Sequence, residues 1–401
     1  MRILTVGNMY PPHHLGGYEL VWRSAVRHLR DAGHRVRVLT TDHRQIGVTG
    51  EEDVDVHREL RWYWSEHEFP RLGIGERLAL ERHNATGFDR HLRELEPELV
   101  SWWAMGGMSL SLIERARCRG LASNAVVCDD WMLYGPKVDA WTRLFARRRR
   151  LSRVADSLTG VPTRVDLGGI GPALFPSETT RRRAVDAAGL SDTEVCPQGV
   201  DGSLFRPAAE TAWGWRLLYV GRIDPRKGIG LAIEALAELP GDATLTIAGA
   251  GDDAHLAELR RSAAARGVAD RVSFTVSPRD SLSALYAEAD ALVFPVIWEE
   301  PWGLVPLEAM SVGRPVIASG RGGSAEYLRD RENCLLFNPD AGPRKLAETI
   351  EELAGDEQLR GRLRAGGFET ASGFSEERWN RAVELLCERA VRPTGGSEPP
   401  S

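Results

Sequence analysis

Short apolar runs alternate with segments of helical periodicity along the first part of this chain. Runs with the length of buried strands occupy 3–6, 35–41, 99–103 and 125–128. Apolar residues that recur every three or four positions predict amphipathic helices at 20–29, 77–95 and 109–119. Strands that alternate with helices are typical of a parallel sheet with helices on both faces.

A second series of the same kind begins at Arg216. Its predicted strands cover 216–220, 244–248, 272–275, 291–294, 316–318 and 334–337. Two series predict an α/β protein of two Rossmann-like, doubly wound domains that face a cleft. We assign 1–205 to an N-terminal domain and 206–374 to a C-terminal domain. We expect a helix at 375–391 to return to the first domain, and a disordered tail at 392–401.

Two segments interrupt this alternation. Residues 43–75 lack clear periodicity, and their aromatic stretch at 61–69 is predicted to be a loop that lines a binding site or covers the core. Residues 141–154 combine six arginines with apolar positions, which predicts a basic amphipathic helix. Such a helix is either solvated or in peripheral contact with an anionic membrane surface.

Composition narrows the class of protein. A length of 401 residues suits two domains, and the net charge of −6 argues against a nucleic-acid partner. The first residues lack the apolar core of a signal peptide, and no apolar run is long enough to span a bilayer. The five dispersed cysteines fit reduced thiols. We therefore expect a cytoplasmic protein, with at most a peripheral contact at the inner membrane face, and leave its oligomeric state open.

The most informative stretch lies between the predicted strands at 291–294 and 316–318. Glu300 and Glu308 flank the start of a short predicted helix, which has Pro306 in its first turn and ends at Gly313. Helix N-termini favour anions. We interpret the stretch as a site where phosphate meets the helix while the glutamates accept hydrogen bonds from sugar hydroxyls.

A pair of cations follows the first strand of the second series. Arg222 and Lys227 lie in the loop before the next predicted helix, and the chain otherwise uses arginine almost throughout, with Lys137 and Lys345 as its other lysines. An arginine and a lysine in such a loop can neutralise a diphosphate and stabilise it as a leaving group. Because these cations and a helix N-terminus are present, we expect neither a metal nor another cofactor.

The first domain offers weaker signals. The pair Gly16-Gly17 follows His13-His14 at a strand-to-helix junction, where the backbone either approaches a phosphate or makes a tight turn. Asp129 and Asp130 follow a predicted strand, where they either act on an acceptor hydroxyl or cap a loop.

Several stretches together resemble family 4 glycosyltransferases (glycosyl transferase group 1), the retaining group with the GT-B fold, over nearly the whole chain. The matching stretches are Glu300-Pro301-Trp302-Gly303-Leu304, Leu307-Glu308-Ala309-Met310, Gly221-Arg222 to Lys227-Gly228, Pro11-Pro12 to Gly16-Gly17, Pro197-Gln198-Gly199-Val200-Asp201, and Gly322-Gly323 to Glu326. The resemblance implies transfer of a hexose from a nucleoside-diphosphate sugar to a small-molecule, glycan or lipid acceptor in the N-terminal domain.

The resemblance also implies roles for individual residues. Arg222 and Lys227 would hold the diphosphate, Glu308 the ribose and Glu300 the sugar. Backbone at 303–305 (Gly303, Leu304, Val305) would approach sugar and phosphate, Gly16 and Gly17 would close over the phosphates, and the base would lie near Val276 and Ser277. Front-face attack with retention is implied, although Glu300 is also a chemically reasonable nucleophile.

The chain departs from the family pattern on the acceptor side. Asp129 stands where many relatives have a histidine, and Trp103 ends a strand where histidine is also common. Either a residue such as His13 or His14 supplies the missing contact, or the sugar is positioned differently. The acceptor-side candidates are His13, His14, Trp103 and Asp130. Two alternatives stay open: a nucleotide-sugar epimerase on the same fold, and a catalytically impaired protein that only binds nucleotide sugars.

Overall fold

The computed structural model describes residues 1–45, 47–48, 50–64, 69–146, 149–210 and 212–392. They form two compact units. The first comprises Met1–Cys196 and the chain from Trp379 onward, and the second comprises Pro197–Arg378. Of the tail predicted at 392–401, residues 393–401 lie outside the described residues.

The first unit is built on a parallel sheet. Its strands β1 to β7 are Arg2–Val6, Arg35–Thr41, Val56–Leu60, Leu99–Trp102, Ala122–Val126, Ala173–Phe175 and Thr193–Val195. Its helices α1 to α7 are Gly17–Asp31, Ile74–Leu95, Ser111–Arg117, Trp131–Val138, Thr142–Phe145, Arg149–Thr159 and Glu178–Ala188. The strand order β3-β2-β1-β4-β5-β6-β7 reverses direction between β1 and β4, so ligands are expected at the carboxyl ends of these two strands.

The second unit repeats this design. Its strands β8 to β13 are Arg216–Val220, Thr244–Ala248, Val272–Thr275, Ala291–Phe294, Val316–Ala318 and Leu335–Leu336. Its helices α8 to α13 are Ile229–Leu236, Asp253–Ala265, Arg279–Glu288, Leu304–Val312, Pro343–Gly355 and Glu357–Ser372. The order β10-β9-β8-β11-β12-β13 places the reversal between β8 and β11, the strands that lead into the Arg222 and Glu300 loops.

Helix α14, at Glu376–Val391, belongs to both units. From Trp379 onward it packs within the first unit, where the Asn380 amide donates to the Ser24 hydroxyl at 2.8 Å and Trp379 is buried. Residues 197–205 belong to the second unit, because the Val200 N–H donates to the Phe374 carbonyl at 3.0 Å and Phe205 is buried in that core.

Two local expectations differ from the structure. The region 43–75, which shows no clear periodicity in the sequence, contains the edge strand β3, whose polar side chains hid its periodicity because an edge strand is only partly buried. Of the aromatic stretch at 61–69, residues 65–68 lie outside the described part. The single helix predicted at 141–154 is divided into α5 and α6, and residues 147 and 148 between them lie outside the described part. Trp141 is buried and donates to the Pro162 carbonyl at 3.0 Å, so it belongs to the core rather than to an outer helix face.

Candidate functional site

The loop after β8 and the loop after β11 lie against each other at the point where the strand order reverses. The Ile297 N–H donates to the Arg226 carbonyl at 2.9 Å. Gly228 has a φ of +69°, and a Cβ there would lie 2.0 Å from the Pro295 carbonyl oxygen. This close approach of the two loops therefore requires glycine. It brings the loop of Arg222 and Lys227, which are predicted to bind the diphosphate, against the loop of Glu300, which is predicted to bind the sugar.

Lys227 and Glu300 form an ion pair at this junction. Lys227 Nζ lies 2.5 Å from Glu300 Oε2, and the indole Nε1–H of Trp298 donates to the same oxygen at 2.8 Å. Both charged side chains are mostly buried, with 14% and 12% of their surface exposed. The backbone of Glu300 is also fixed, because its carbonyl accepts from the Gly323 N–H at 2.6 Å.

Arg222 and Arg226 share a single carboxylate beside this pair. Asp224 accepts two hydrogen bonds from the guanidinium group of Arg226, at 2.9 and 2.8 Å, and lies 3.5 Å from Arg222 Nη2. Although burial opposes it, the hydrogen bonds from Arg226 and the nearby Arg222 hold the pKa of Asp224 well below its usual range. Asp224 therefore remains ionised and orients the two guanidinium groups in a loop that has excess positive charge.

Glu308 lies inside α11 and is 2% exposed. Arg279 Nη1 donates to Glu308 Oε1 at 2.9 Å, and the Tyr286 hydroxyl donates to Oε2 at 2.9 Å. Arg279 begins α10, directly after the predicted base-binding residues Val276, which is exposed, and Ser277. Since each carboxylate oxygen can accept more than one hydrogen bond, both oxygens keep capacity for a diol.

Tyr327 contacts the backbone at the start of α11. Its hydroxyl donates to the Gly303 carbonyl at the start of α11, and burial together with the charges of Glu300 and Glu308 raises its pKa well above the usual range. The backbone at Gly303 has a φ of +90°, and α11 starts with Leu304 and Val305, without an acidic side chain in its first turn. The helix N-terminus is therefore electrostatically suited to an anion.

The predicted residues His13, His14, Gly16 and Gly17 lie at or just before the start of α1. Gly16 and Gly17 begin this helix, but the carboxylate of the buried Glu19 accepts from the Gly16 N–H at 3.1 Å. A phosphate at this helix N-terminus would meet a carboxylate that already occupies it. His13 is buried and accepts from the Gln45 N–H at 3.2 Å, and burial with Arg58 and Arg44 lowers its pKa. His14 Nδ1 lies 3.0 Å from the Pro12 carbonyl.

The remaining candidates make structural contacts within this unit. Asp129 accepts from the Trp131 N–H at 3.1 Å and from the Tyr134 hydroxyl at 3.0 Å, at the start of α4. Asp130 pairs with Arg183 at 2.9 Å. Trp103 is fully buried and stacks on Trp22 with a centroid separation of 5.7 Å. The structure therefore gives Trp103 a core position and leaves Asp129 and Asp130 partly exposed.

One cluster among the described residues has the composition of a metal site. The ligand atoms of His57, Glu59 and His91 lie within 4.8 Å of one another. Arg37 donates to His91 Nδ1 at 3.2 Å, and Arg90 pairs with Glu59. Burial, with His57 and Arg37 nearby, lowers the pKa of His91 to about 4. Guanidinium groups already partner His91 and Glu59 and oppose a divalent cation, and His57 Nε2 lies 2.7 Å from Asp55 Oδ1. We therefore describe the cluster as an ion-pair network between β3 and α2.

Sequence reasoning missed Trp298, Arg279 and Tyr286. Trp298 could have been noticed, since it stands two residues before Glu300 and would place an indole beside it. The partners of Glu308 are separated from it by 29 and 22 residues. A local sequence motif cannot predict these contacts with Glu308, because they depend on how α10 packs against α11.

Comparison with known proteins places the whole chain in a family. A family model described as glycosyl transferases group 1 matches residues 210–370. A GDP-mannose-dependent alpha-(1-6)-phosphatidylinositol monomannoside mannosyltransferase of Mycobacterium tuberculosis is 30% identical over 408 residues, covering 96% of this chain and 97% of that protein. A D-inositol 3-phosphate glycosyltransferase of Jonesia denitrificans is 35% identical over 225 residues, 50% of this chain and 52% of that protein. The match to this relative thus spans about half of its length.

Solved structures share the fold at low identity. A sucrose-phosphate synthase from Thermosynechococcus elongatus has a TM-score of 0.73 at 21% identity, with 96% of this chain and 98% of that chain covered. HepE from Anabaena, in complex with UDP and glucose, has a TM-score of 0.71 at 19% identity, with 97% and 99% covered.

Proposed function

Because this chain belongs to the glycosyl transferases of group 1, we propose that it transfers a sugar from a nucleoside-diphosphate sugar to a hydroxyl group of an acceptor. The observation that carries the proposal is the contact of Lys227 Nζ with Glu300 Oε2 at 2.5 Å, at the reversal of the strand order. This contact places the cation proposed to bind the diphosphate beside a carboxylate that can accept hydrogen bonds from sugar hydroxyls. The alternative of an epimerase has no support among the relatives.

The chemistry follows from the charges in the second unit. When the bond between sugar and phosphate breaks, negative charge grows on the departing diphosphate. Lys227, Arg222 and the N-terminus of α11 supply positive charge there, and we propose that they make a metal ion unnecessary. Glu308 accepts hydrogen bonds from the ribose and Glu300 from the transferred sugar.

We propose front-face attack with retention of the anomeric configuration. Trp298 and Lys227 both donate to Glu300, which lowers the nucleophilicity of that carboxylate. A carboxylate held in this way is better suited to bind a hydroxyl than to attack carbon. The acceptor hydroxyl then attacks from the side on which the diphosphate departs, and a diphosphate oxygen takes its proton.

The names of the relatives suggest the first substrates to test. GDP-mannose is the proposed donor, and an inositol-containing acceptor, either phosphatidylinositol-based or an inositol phosphate, is the proposed acceptor. These assignments remain proposals, because the inositol-phosphate relatives match over only about half of their length.

We also propose a peripheral contact of α6 with an anionic membrane surface. Leu151, Val154 and Leu158 lie three and four residues apart, and their exposed fractions are 53%, 56% and 76%. Exposed Arg150 and Arg153 flank them. Such a face combines apolar area with positive charge, as interfacial helices do. Among the described residues, no helix has the length and apolar character needed to cross a bilayer.

A mass-spectrometric screen tests the proposed function. The purified chain is incubated with GDP-mannose, UDP-glucose and other nucleotide sugars, with and without phosphatidylinositol or inositol phosphate, in buffer that contains EDTA. We expect nucleoside diphosphate and a glycosylated acceptor, whose anomeric configuration is then determined by NMR. Binding without turnover across the screen would instead indicate a protein that only binds nucleotide sugars, and activity that EDTA abolishes would contradict metal independence.

A further inference from the structure

The side chain of Trp298 contacts the groups predicted to hold the sugar and the diphosphate. Its indole N–H donates to Glu300 Oε2 at 2.8 Å. Its ring lies 4.4 Å from the guanidinium carbon of Arg226 and 5.6 Å from the ammonium of Lys227, measured to the ring centroid. Trp298 thus has one polar edge on the carboxylate and an aromatic ring beside two cations.

The two donors to Glu300 differ in what a ligand does to them. Lys227 is a mobile cation, and a bound diphosphate competes with Glu300 for its ammonium group. The indole N–H is neutral and only a donor, so a bound diphosphate attracts it far less than it attracts the ammonium group of Lys227. When Lys227 turns toward a diphosphate, Trp298 is the side chain that continues to orient Glu300.

The orientation of the Glu300 carboxylate determines which sugar hydroxyl can bind to it. Both donors act on Oε2, so the side of the carboxylate that carries Oε1 receives no hydrogen bond from the described residues. A carboxylate fixed through one oxygen presents the other in a defined direction. That direction selects which sugar hydroxyl can donate to it.

The aromatic ring of Trp298 stabilises the positive charges of Arg226 and Lys227. Arg226 and Lys227 are adjacent in sequence and carry like charges, so holding both in one small region is unfavourable without compensation. The negative face of an indole supplies part of that compensation, and Asp224 supplies the remainder for Arg226.

We infer that Trp298 is a positioning residue, which fixes Glu300 through its N–H and steadies the cationic loop through its ring. This inference rests on the proposed function and goes beyond it, because it separates the recognition of the sugar from that of the diphosphate. It predicts that the N–H and the ring can be removed one at a time with different effects.

Calorimetric titration of Trp298→Phe and Trp298→Leu with UDP, UDP-glucose, GDP and GDP-mannose tests this. Trp298→Phe keeps an aromatic ring and loses the N–H, so we expect the Kd for the nucleoside diphosphate to change by less than about threefold. The ratio of the Kd for the nucleotide sugar to that for the diphosphate should rise about tenfold. Trp298→Leu should raise that ratio equally and also weaken binding of the diphosphate. For a donor that is turned over, kcat should fall more than KM changes in Trp298→Phe.

Trp213→Phe is the matched control. Trp213 precedes β8, at the amino end of the strand whose carboxyl end leads into the site, and the guanidinium of Arg360 lies 5.5 Å from its ring centroid. Its substitution should leave all four affinities unchanged. An unchanged ratio in Trp298→Phe, or an equal rise in Trp213→Phe, would overturn the role of Trp298. A wild-type chain that binds none of the four nucleotides and turns over no nucleotide sugar of the wider screen would overturn the proposed function itself.

Discussion

Arg279 Nη1 lies 2.9 Å from Oε1 of the buried Glu308, while the Tyr286 hydroxyl donates to Oε2 of the same carboxylate. The side chain of Arg279 is one-quarter exposed and that of Glu308 is 3% exposed. The proposed ribose ligand therefore has its charge compensated within the second unit, by a cation that lies beside the proposed base-binding residues.

Arg279→Met should remove this compensation and leave a buried carboxylate without a cation. We expect the free energy of unfolding to fall by about 3 kcal/mol, the lower end of the usual range because Arg279 is partly solvated. Urea denaturation measures this loss. Arg266→Met is the control, since its pair with Glu234 at 3.3 Å lies at the surface and should contribute less than about 1 kcal/mol. Equal losses in the two variants would show that Glu308 does not depend on Arg279.

Lys227→Met should weaken the binding of nucleoside diphosphates at least about tenfold, because a charge-assisted hydrogen bond to phosphate is lost. Transfer should be lost with it, since the leaving group then lacks its main cation. Calorimetry with GDP and UDP measures the first effect. Lys345→Met is the control, because Lys345 is half exposed on α12 and pairs with Glu348 at 3.6 Å. A Lys227→Met variant with wild-type affinity would exclude Lys227 from the diphosphate site.

The family and the two-unit parallel α/β fold were predictable from the sequence and are confirmed. The strands of the second unit were the easiest to locate, because a parallel strand covered on both faces appears as a continuous apolar run. The bounds 216–220, 244–248, 272–275 and 291–294 agree with β8 to β11. The short strands β6 and β7 were missed, because three residues carry too little periodicity.

The candidate site was predictable only where a motif is local in sequence. Glu300 and Glu308 lie in one stretch of sequence, and Gly221 and Gly228 bound the loop that carries Arg222 and Lys227. The spacing of these residues along the chain was therefore enough to place each pair in one loop or helix start. The pairing of Lys227 with Glu300 spans 73 residues and depends on the loop contact that Gly228 allows. On the side of the first unit, the sequence could not show that Glu19 already occupies the helix N-terminus beside Gly16.

Stability should also depend on pH through Glu81 in the first unit. Burial, with the neighbouring carboxyl of Asp139, raises the pKa of Glu81 to about 8 from 4.5, and Tyr63 donates to it at 2.7 Å. Since the folded state holds this proton more tightly than the unfolded state, the stabilisation is complete below pH 4.5 and declines as the pH rises toward 8.

Glu81→Gln keeps the shape of the side chain and cannot ionise. Its stability relative to wild type should therefore increase as the pH rises from 5 to about 8, by up to about 1.4 kcal/mol per pH unit. Urea denaturation at pH 5, 6, 7 and 8 measures the difference. Parallel pH profiles for the two proteins would show that the folded state does not hold the proton on Glu81.

Gly322→Ala should disturb the sugar side of the site. Gly322 has a φ of +69°, and a Cβ there would lie 2.3 Å from the Glu300 carbonyl oxygen. The Glu300 backbone must then move, so we expect kcat/KM to fall at least about tenfold and the protein to lose about 1–3 kcal/mol of stability. Gly361→Ala, in α13 with open space around the added Cβ, should instead gain about 1 kcal/mol and keep wild-type kinetics. Wild-type kinetics in both variants would contradict the need for this close approach.

Membrane binding through α6 should require its exposed apolar face. Leu151→Ser together with Leu158→Ser removes two large side chains that are more than half exposed, so partitioning onto vesicles with anionic lipid should fall at least about tenfold. Flotation with phosphatidylcholine vesicles, with and without phosphatidylglycerol, measures the binding, and added salt should weaken the part that Arg150 and Arg153 contribute. Val54→Ser together with Leu385→Ser removes exposed apolar side chains elsewhere and should change nothing. If the wild-type chain does not float with anionic vesicles at low salt, or if the two double variants behave alike, α6 is a solvated helix rather than a membrane contact.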